Sequence, residues 1–120
     1  MSGFSFVADT NFLIDIHEGR EKVEPFLDGS VVISVISEIE LLGWYKLNKS
    51  EKDKLRALLD DCFMFELTAE IRKLTIEIRQ SNKIKTPDAI IAATSKYLQL
   101  PLVTSDKGFK NINGIELILI

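Results

Sequence analysis

The sequence predicts an α/β fold, three layers deep, with helices on both sides of a parallel sheet of about five strands. Three observations carry that expectation. Short, nearly continuous apolar runs alternate with helical patterns, as strands do when both faces of a parallel sheet are covered. The 120 residues are 46% hydrophobic and 28% charged, which suits one domain, residues 1–120, with its own core. The six Gly and three Pro are scattered, and no repeat, low-complexity tract or linker interrupts the pattern.

The elements follow in order. Residues 4–8 form a short apolar run, the expected first strand, and Asp9 or Thr10 then caps a helix reaching Ile16. Residues 21–27 read as a second short helix closed by Asp28-Gly29. The β-branched run Val31-Val32-Ile33 is the second strand. Ser34 or Ser37 opens a helix carrying Ile39, Leu42 and Tyr45 to about Leu47. Ser50 is expected to cap another, with Leu55, Leu58 and Leu59 on one face. Residues 63–67 make the third strand, and Thr68 starts a helix with Ile71, Leu74 and Ile78 at helical spacing. Thr86-Pro87-Asp88 is a strong helix start, with Thr86 as the expected N-cap, Pro87 first inside and Asp88 in the first turn. That helix runs to Leu98. Residues 102–104 and 115–120 are the fourth and fifth strands.

Several function classes fall away. Cys62 is the only cysteine, so no internal disulfide forms; in the apolar run Cys62-Phe63-Met64-Phe65 it reads as a buried free thiol of a reducing compartment. No run approaches a membrane span, and the N-terminus lacks the basic start of a signal peptide, so a cytoplasmic location is expected. His17 is the only histidine, which disfavours a zinc site and leaves no Ser-His or Cys-His pair. The net charge of −3 argues weakly against a dedicated nucleic-acid binder, but not against an enzyme whose metal and local basic rim meet the phosphate.

In open parallel sheets, ligands sit beyond the carboxyl ends of the strands. Asp9 directly follows the first strand, Glu40 comes soon after the second, and Asp106 lies two residues past the fourth. Asp88, in the first turn of the helix feeding the fourth strand, joins them if that helix starts on the same side. Carboxylates brought together repel, and hard divalent ions such as Mg²⁺ or Mn²⁺ favour oxygen ligands. Such ions suit phosphoryl-ester cleavage. Each acid also has a structural reading. Asp9 could be an N-cap only, and Ser37-Glu38-Ile39-Glu40 fits a capping box that would occupy Glu40. Asp88 could merely complement a helix dipole, and Asp106 sits in good turn chemistry.

Taken together, these segments resemble the PIN-domain family, and especially its single-domain VapC-like toxins. Val7-Ala8-Asp9-Thr10-Asn11 resembles the family's strand ending in Asp-Thr-Asn. The stretch from Ser34 to Leu41 resembles its Ser-x-x-Ser/Thr-x-x-Glu-Leu segment, which selects Glu40 over Glu38. The stretches from Thr86 to Thr94 and from Leu100 to Phe109 resemble its two remaining motifs, and the likeness covers nearly the whole chain. It implies a PIN-like five-stranded parallel fold and hydrolysis of RNA phosphodiesters. Asp9, Glu40, Asp88 and Asp106 would hold Mg²⁺ or Mn²⁺, with Asn11 and Thr104 as supporting polar groups that orient ligands or water. It also implies a toxin that pairs with a small antitoxin and forms a homodimer. Gly43 follows Glu40 sooner than in many relatives, so the helix there is expected to pack differently.

Arg79, Lys83 and Lys85 before Asp88, and Lys107 and Lys110 after Asp106, are candidates for RNA contacts or simply a solvated surface. Trp44 and Tyr45 are expected to pack in the core or a dimer more readily than to stack on a base. Alternatives remain. A receiver domain or phosphoaspartyl phosphatase would want paired acids at the first strand end, where this chain has Asp9-Thr10-Asn11. An inactive PIN-like binding module, and a nuclease acting on DNA, stay open.

Overall fold

A computed structural model describes residues 3–120. Its five strands are β1 (Ser5–Ala8), β2 (Ser30–Ser34), β3 (Phe63–Phe65), β4 (Leu102–Thr104) and β5 (Leu117–Leu119). They form one sheet in the order β3-β2-β1-β4-β5, and every neighbouring pair is parallel. The helices are α1 (Thr10–His17), α2 (Val35–Leu42), α3 (Lys49–Asp60), α4 (Ala69–Ser81) and α5 (Thr86–Leu98). The first-made strand is therefore the central one.

The apolar runs of the strands are explained by what covers them. Successive side chains of a strand point to opposite faces. Phe6, Ala8, Ile33 and Val103 join one buried cluster with Phe12 and Leu13 of α1, Leu41 of α2 and Leu59 of α3. Their neighbours Val7, Val32 and Leu102 join the other, with Ile71 and Ile78 of α4 and Ala89, Ile91, Ala92 and Ala93 of α5. Phe6, Phe12 and Phe26 meet edge to face with centroids 5.4–6.0 Å apart, a favoured aromatic geometry. The run of alanines in α5 lets that helix pack closely on the sheet. Among the described residues, no helix is long and apolar enough to cross a membrane.

Several boundaries differ from the sequence reading. Residues 21–26 form a 3-10 helix, with Pro25 inside it; Pro has no N–H to give to a longer helical ladder. The helix expected to reach Leu47 stops at Leu42, with Gly43 as its C-cap donating to the Ile39 carbonyl at 2.9 Å. A Cβ at Gly43 would collide with that carbonyl oxygen. Its N-cap is Ser34, whose hydroxyl accepts from Ile36 N–H, so the Ser37–Glu40 capping box does not form. Asn48, not Ser50, caps α3 by accepting from Glu51 N–H at 2.8 Å. The N-cap of α5 is Lys85, which offers no side-chain cap, so Thr86 and Pro87 both lie inside the helix. Strands β3 and β5, at the sheet's two edges, are three residues each, shorter than expected. Trp44 and Tyr45 are not core residues: they follow the end of α2 and are exposed, Tyr45 beside Lys46 Nζ. Cys62 is half-buried, and burial together with the Asp61 charge pushes its thiol up to about 11, so at neutral pH it is no nucleophile.

Candidate functional site

Every strand of a parallel sheet presents its carboxyl end at the same edge. Asp9 leaves β1 there as the N-cap of α1, its Oδ1 accepting from Phe12 N–H at 2.9 Å. Thr104, the last residue of β4, donates its hydroxyl to Asp9 Oδ2 at 2.5 Å. The same hydroxyl oxygen accepts from Asp106 N–H at 2.9 Å, which ties Asp106 to the strand end. Asp106 Oδ1 in turn accepts from Gly108 N–H, so the turn chemistry seen in the sequence is present as well. Asp9 and Asp106 are thus linked through one threonine on the neighbouring strand.

Glu40 lies in the last turn of α2, and Asp88 in the first turn of α5. Thirteen helical residues span about 20 Å, so α5, delivering chain to the amino end of β4, starts near the opposite edge. That answers the question left open for Asp88. A cavity of about 380 Å³ is walled by Asp9, Thr10, Asn11, Ile14, Glu40, Lys85, Pro87, Asp88 and Asp106. All four acids therefore share one cavity, together with Asn11 and Lys85. Asn11 lines it without a hydrogen bond to any of the acids among the described residues.

The electrostatics tie the acids together. Asp9 is almost wholly buried, and that burial raises its pKa. The Thr104 and Phe12 hydrogen bonds oppose the rise, and the charges of Asp106 and Asp88 add to it. Half-buried Asp88 is raised too, by burial first and then by Asp106 and Glu40, with Lys85 pulling the other way. An all-oxygen donor set of this kind fits a hard divalent cation. Among the described residues, no three acids, imidazoles or thiols close into a finished coordination cage; the carboxylates are spread around the cavity wall.

Other sequence candidates lie elsewhere. Glu38 pairs with Arg56 at 2.8 Å and, unlike Glu40, does not line the cavity. Arg79 donates to the Ile84 carbonyl, and Arg79, Lys83 and Lys107 are exposed outside the cavity wall. The sequence reading missed Thr10 and Ser37. Thr10 Oγ1 donates to Glu40 Oε1 at 2.7 Å and lies 3.0 Å from Ser37 Oγ. Both stood inside motifs already singled out, Thr10 between Asp9 and Asn11 and Ser37 three residues before Glu40. Beside the acid cavity runs a second, more apolar groove lined by Ile14, Leu41, Trp44, Leu47 and Leu55, with Glu18, Glu40 and Glu51 along it. Thr10, Ile14 and Glu40 belong to both.

Comparison with known proteins places the fold. A family model described as PIN domain matches residues 6–115. A toxin-antitoxin complex from Klebsiella pneumoniae contains a chain 30% identical to this one, with a TM-score of 0.81 over 94% of this chain and 95% of that one. VapBC2 from Rickettsia felis, bound to a DNA fragment from its promoter, shares the fold at 20% identity and a TM-score of 0.85, covering 98% and 99% of the two chains. FitAcB from Neisseria gonorrhoeae shares it at 24% identity and a TM-score of 0.74, covering 94% and 96%. A comparison with the curated proteins gives no match.

Proposed function

The chain belongs to the PIN-domain family, and we propose that it is a Mg²⁺- or Mn²⁺-dependent endoribonuclease, the toxin of a toxin–antitoxin pair. The observation that carries this reading is the single cavity walled by carboxylates from four separate segments, two of them, Asp9 and Asp88, held back from ionising by burial first and then by neighbouring carboxylates. Such acids are stabilised by a counter-charge, and acids perturbed by burial and by like charges in a cleft are candidates for a functional site.

Asp9, Glu40, Asp88 and Asp106 would hold the cation. Bound there, it supplies neutralising charge and an activated water for displacement at phosphorus. The protein's own groups set the geometry. Thr104 and Phe12 N–H hold both oxygens of Asp9, so its orientation does not depend on ligand. Asn11 offers an amide to water or to the substrate strand. Lys85 brings a positive charge to the cavity wall, where a scissile phosphate would lie. Arg79, Lys83 and Lys107, exposed outside it, are assigned to the strand further along.

The likeness to a chain of the Klebsiella toxin-antitoxin complex supports a small antitoxin as partner. The apolar groove with its three glutamates suits a basic amphipathic segment of such a protein. A cytoplasmic location and a homodimer, the state the family resemblance implies, complete the proposal.

One observation favours a second reading, a PIN-fold module without nuclease activity: the acids are not gathered into a finished cage. The chemistry that a bound cation would supply also acts on the phosphodiester and not on the base, so DNA is an alternative substrate. One experiment separates the three. Labelled single-stranded RNA, structured RNA and DNA are incubated with the protein in Mg²⁺, Mn²⁺ or EDTA, beside a folded Asp9→Asn variant. RNA cleavage that needs the metal and is lost in the variant is the expected result. Preferential cutting of DNA changes the substrate, and no cutting by wild type leaves the binding module.

A further inference from the structure

Glu40 is exposed, at the end of a short helix, and a free glutamate there would keep several rotatable bonds in motion. The structure instead holds it from behind. Thr10 donates to Glu40 Oε1 at 2.7 Å. A threonine hydroxyl has one proton. With that proton on Glu40, the 3.0 Å contact to Ser37 must run the other way, with Ser37 Oγ donating to Thr10 Oγ1. Ser37 is fully buried, one turn before Glu40 on α2, so the chain of bonds starts from a fixed point. It crosses to the first residue of α1, next to Asp9, and returns to α2. Glu40 Oε2 carries no protein hydrogen bond among the described residues.

We propose that Thr10 is a positioning residue of the site, holding Glu40 through a directed Ser37–Thr10–Glu40 chain of hydrogen bonds that leaves one carboxylate oxygen for a divalent cation. The inference rests on the metal-site reading above. It gives the Thr of Asp9-Thr10-Asn11 a task apart from its neighbours: Asp9 as ligand, Thr10 as the brace that couples Asp9's helix to Glu40's.

The test is Mn²⁺ binding to the whole chain by calorimetry, with no substrate present. Thr10→Val keeps the shape and removes the hydroxyl; it is expected to bind Mn²⁺ about tenfold more weakly than wild type, as losses behind a metal ligand usually do. Thr10→Ser restores the hydroxyl and is expected to bind Mn²⁺ close to wild type. Ser37→Ala, which leaves α1 intact, should lose affinity in the same direction by a smaller factor, and it carries the test if Thr10→Val does not fold. Wild-type affinity in Thr10→Val, or in Ser37→Ala where that variant decides, overturns the brace alone. So does a loss in Thr10→Ser as large as in Thr10→Val. A wild-type chain that binds no Mn²⁺ overturns the metal site and the brace with it.

Discussion

Burying Asp9 among other acids costs free energy, and two hydrogen bonds only partly offset it. Its pKa is raised in the fold, so the folded chain keeps this proton to higher pH than the unfolded chain does. Stability from that proton is full below the ordinary value of 3.8 and is lost as pH rises through the window up to the folded value. Asp9→Asn keeps an oxygen for Phe12 N–H and removes the charge. In metal-free urea unfolding, the variant is expected to match wild type near pH 3.8, exceed it increasingly through the window, and stay ahead above it. A variant less stable than wild type at pH 7 would show that the carboxylate is there for the fold. The sequence showed Asp9 as cap or ligand and favoured the ligand, since it is the first polar residue past the first strand. The fold makes it the cap and, in the proposed reading, leaves it free to be a ligand too, because the N-cap of α1 lies at the carboxyl edge of the central strand.

Helix starts were legible where the capping side chain stood immediately before the apolar pattern. Thr68 accepts from Ile71 N–H as expected of it. They were misread where two candidates competed. Ser50 looks like a cap for α3, but Gly43 ends α2 early, and the chain then has room to begin the next helix at Asn48. Asn48→Ala is therefore expected to cost about 1 kcal/mol in chemical unfolding, whereas Ser50→Ala should cost under about 0.5 kcal/mol. The reverse order would return the cap to Ser50. Glu40 was hidden by the same kind of competition. Its capping-box spacing with Ser37 is real, but Ser34 takes the cap and frees Glu40 to meet Thr10. No local pattern reveals that contact, because its partners lie 30 residues apart.

The strand order has no local signature either. The apolar runs announce strands and a covered sheet, but not that β1 stands between β2 and β4. The two buried clusters lie on opposite faces of one sheet and share its strands. We take the 120 residues as one cooperative domain on that ground. Leu59→Ala in one cluster and Ile91→Ala in the other are each expected to cost about 2–5 kcal/mol and to shift one common transition. The double variant should lose close to the sum. Two separable transitions, each moved by one substitution, would divide the domain.

The bond between Asp9 and Thr104 spans 95 residues, and that distance bears on how the chain is born. During synthesis, β1 can pair early with β2, but its other neighbour does not exist until β4 has been made. Asp106 comes later still. A nascent chain thus carries three of the four acids with no means of closing the cavity, and parallel pairing at long separation is slow to form. In the proposed reading, the growing polypeptide spares its own messenger. Under that reading, latency is written into the order of translation.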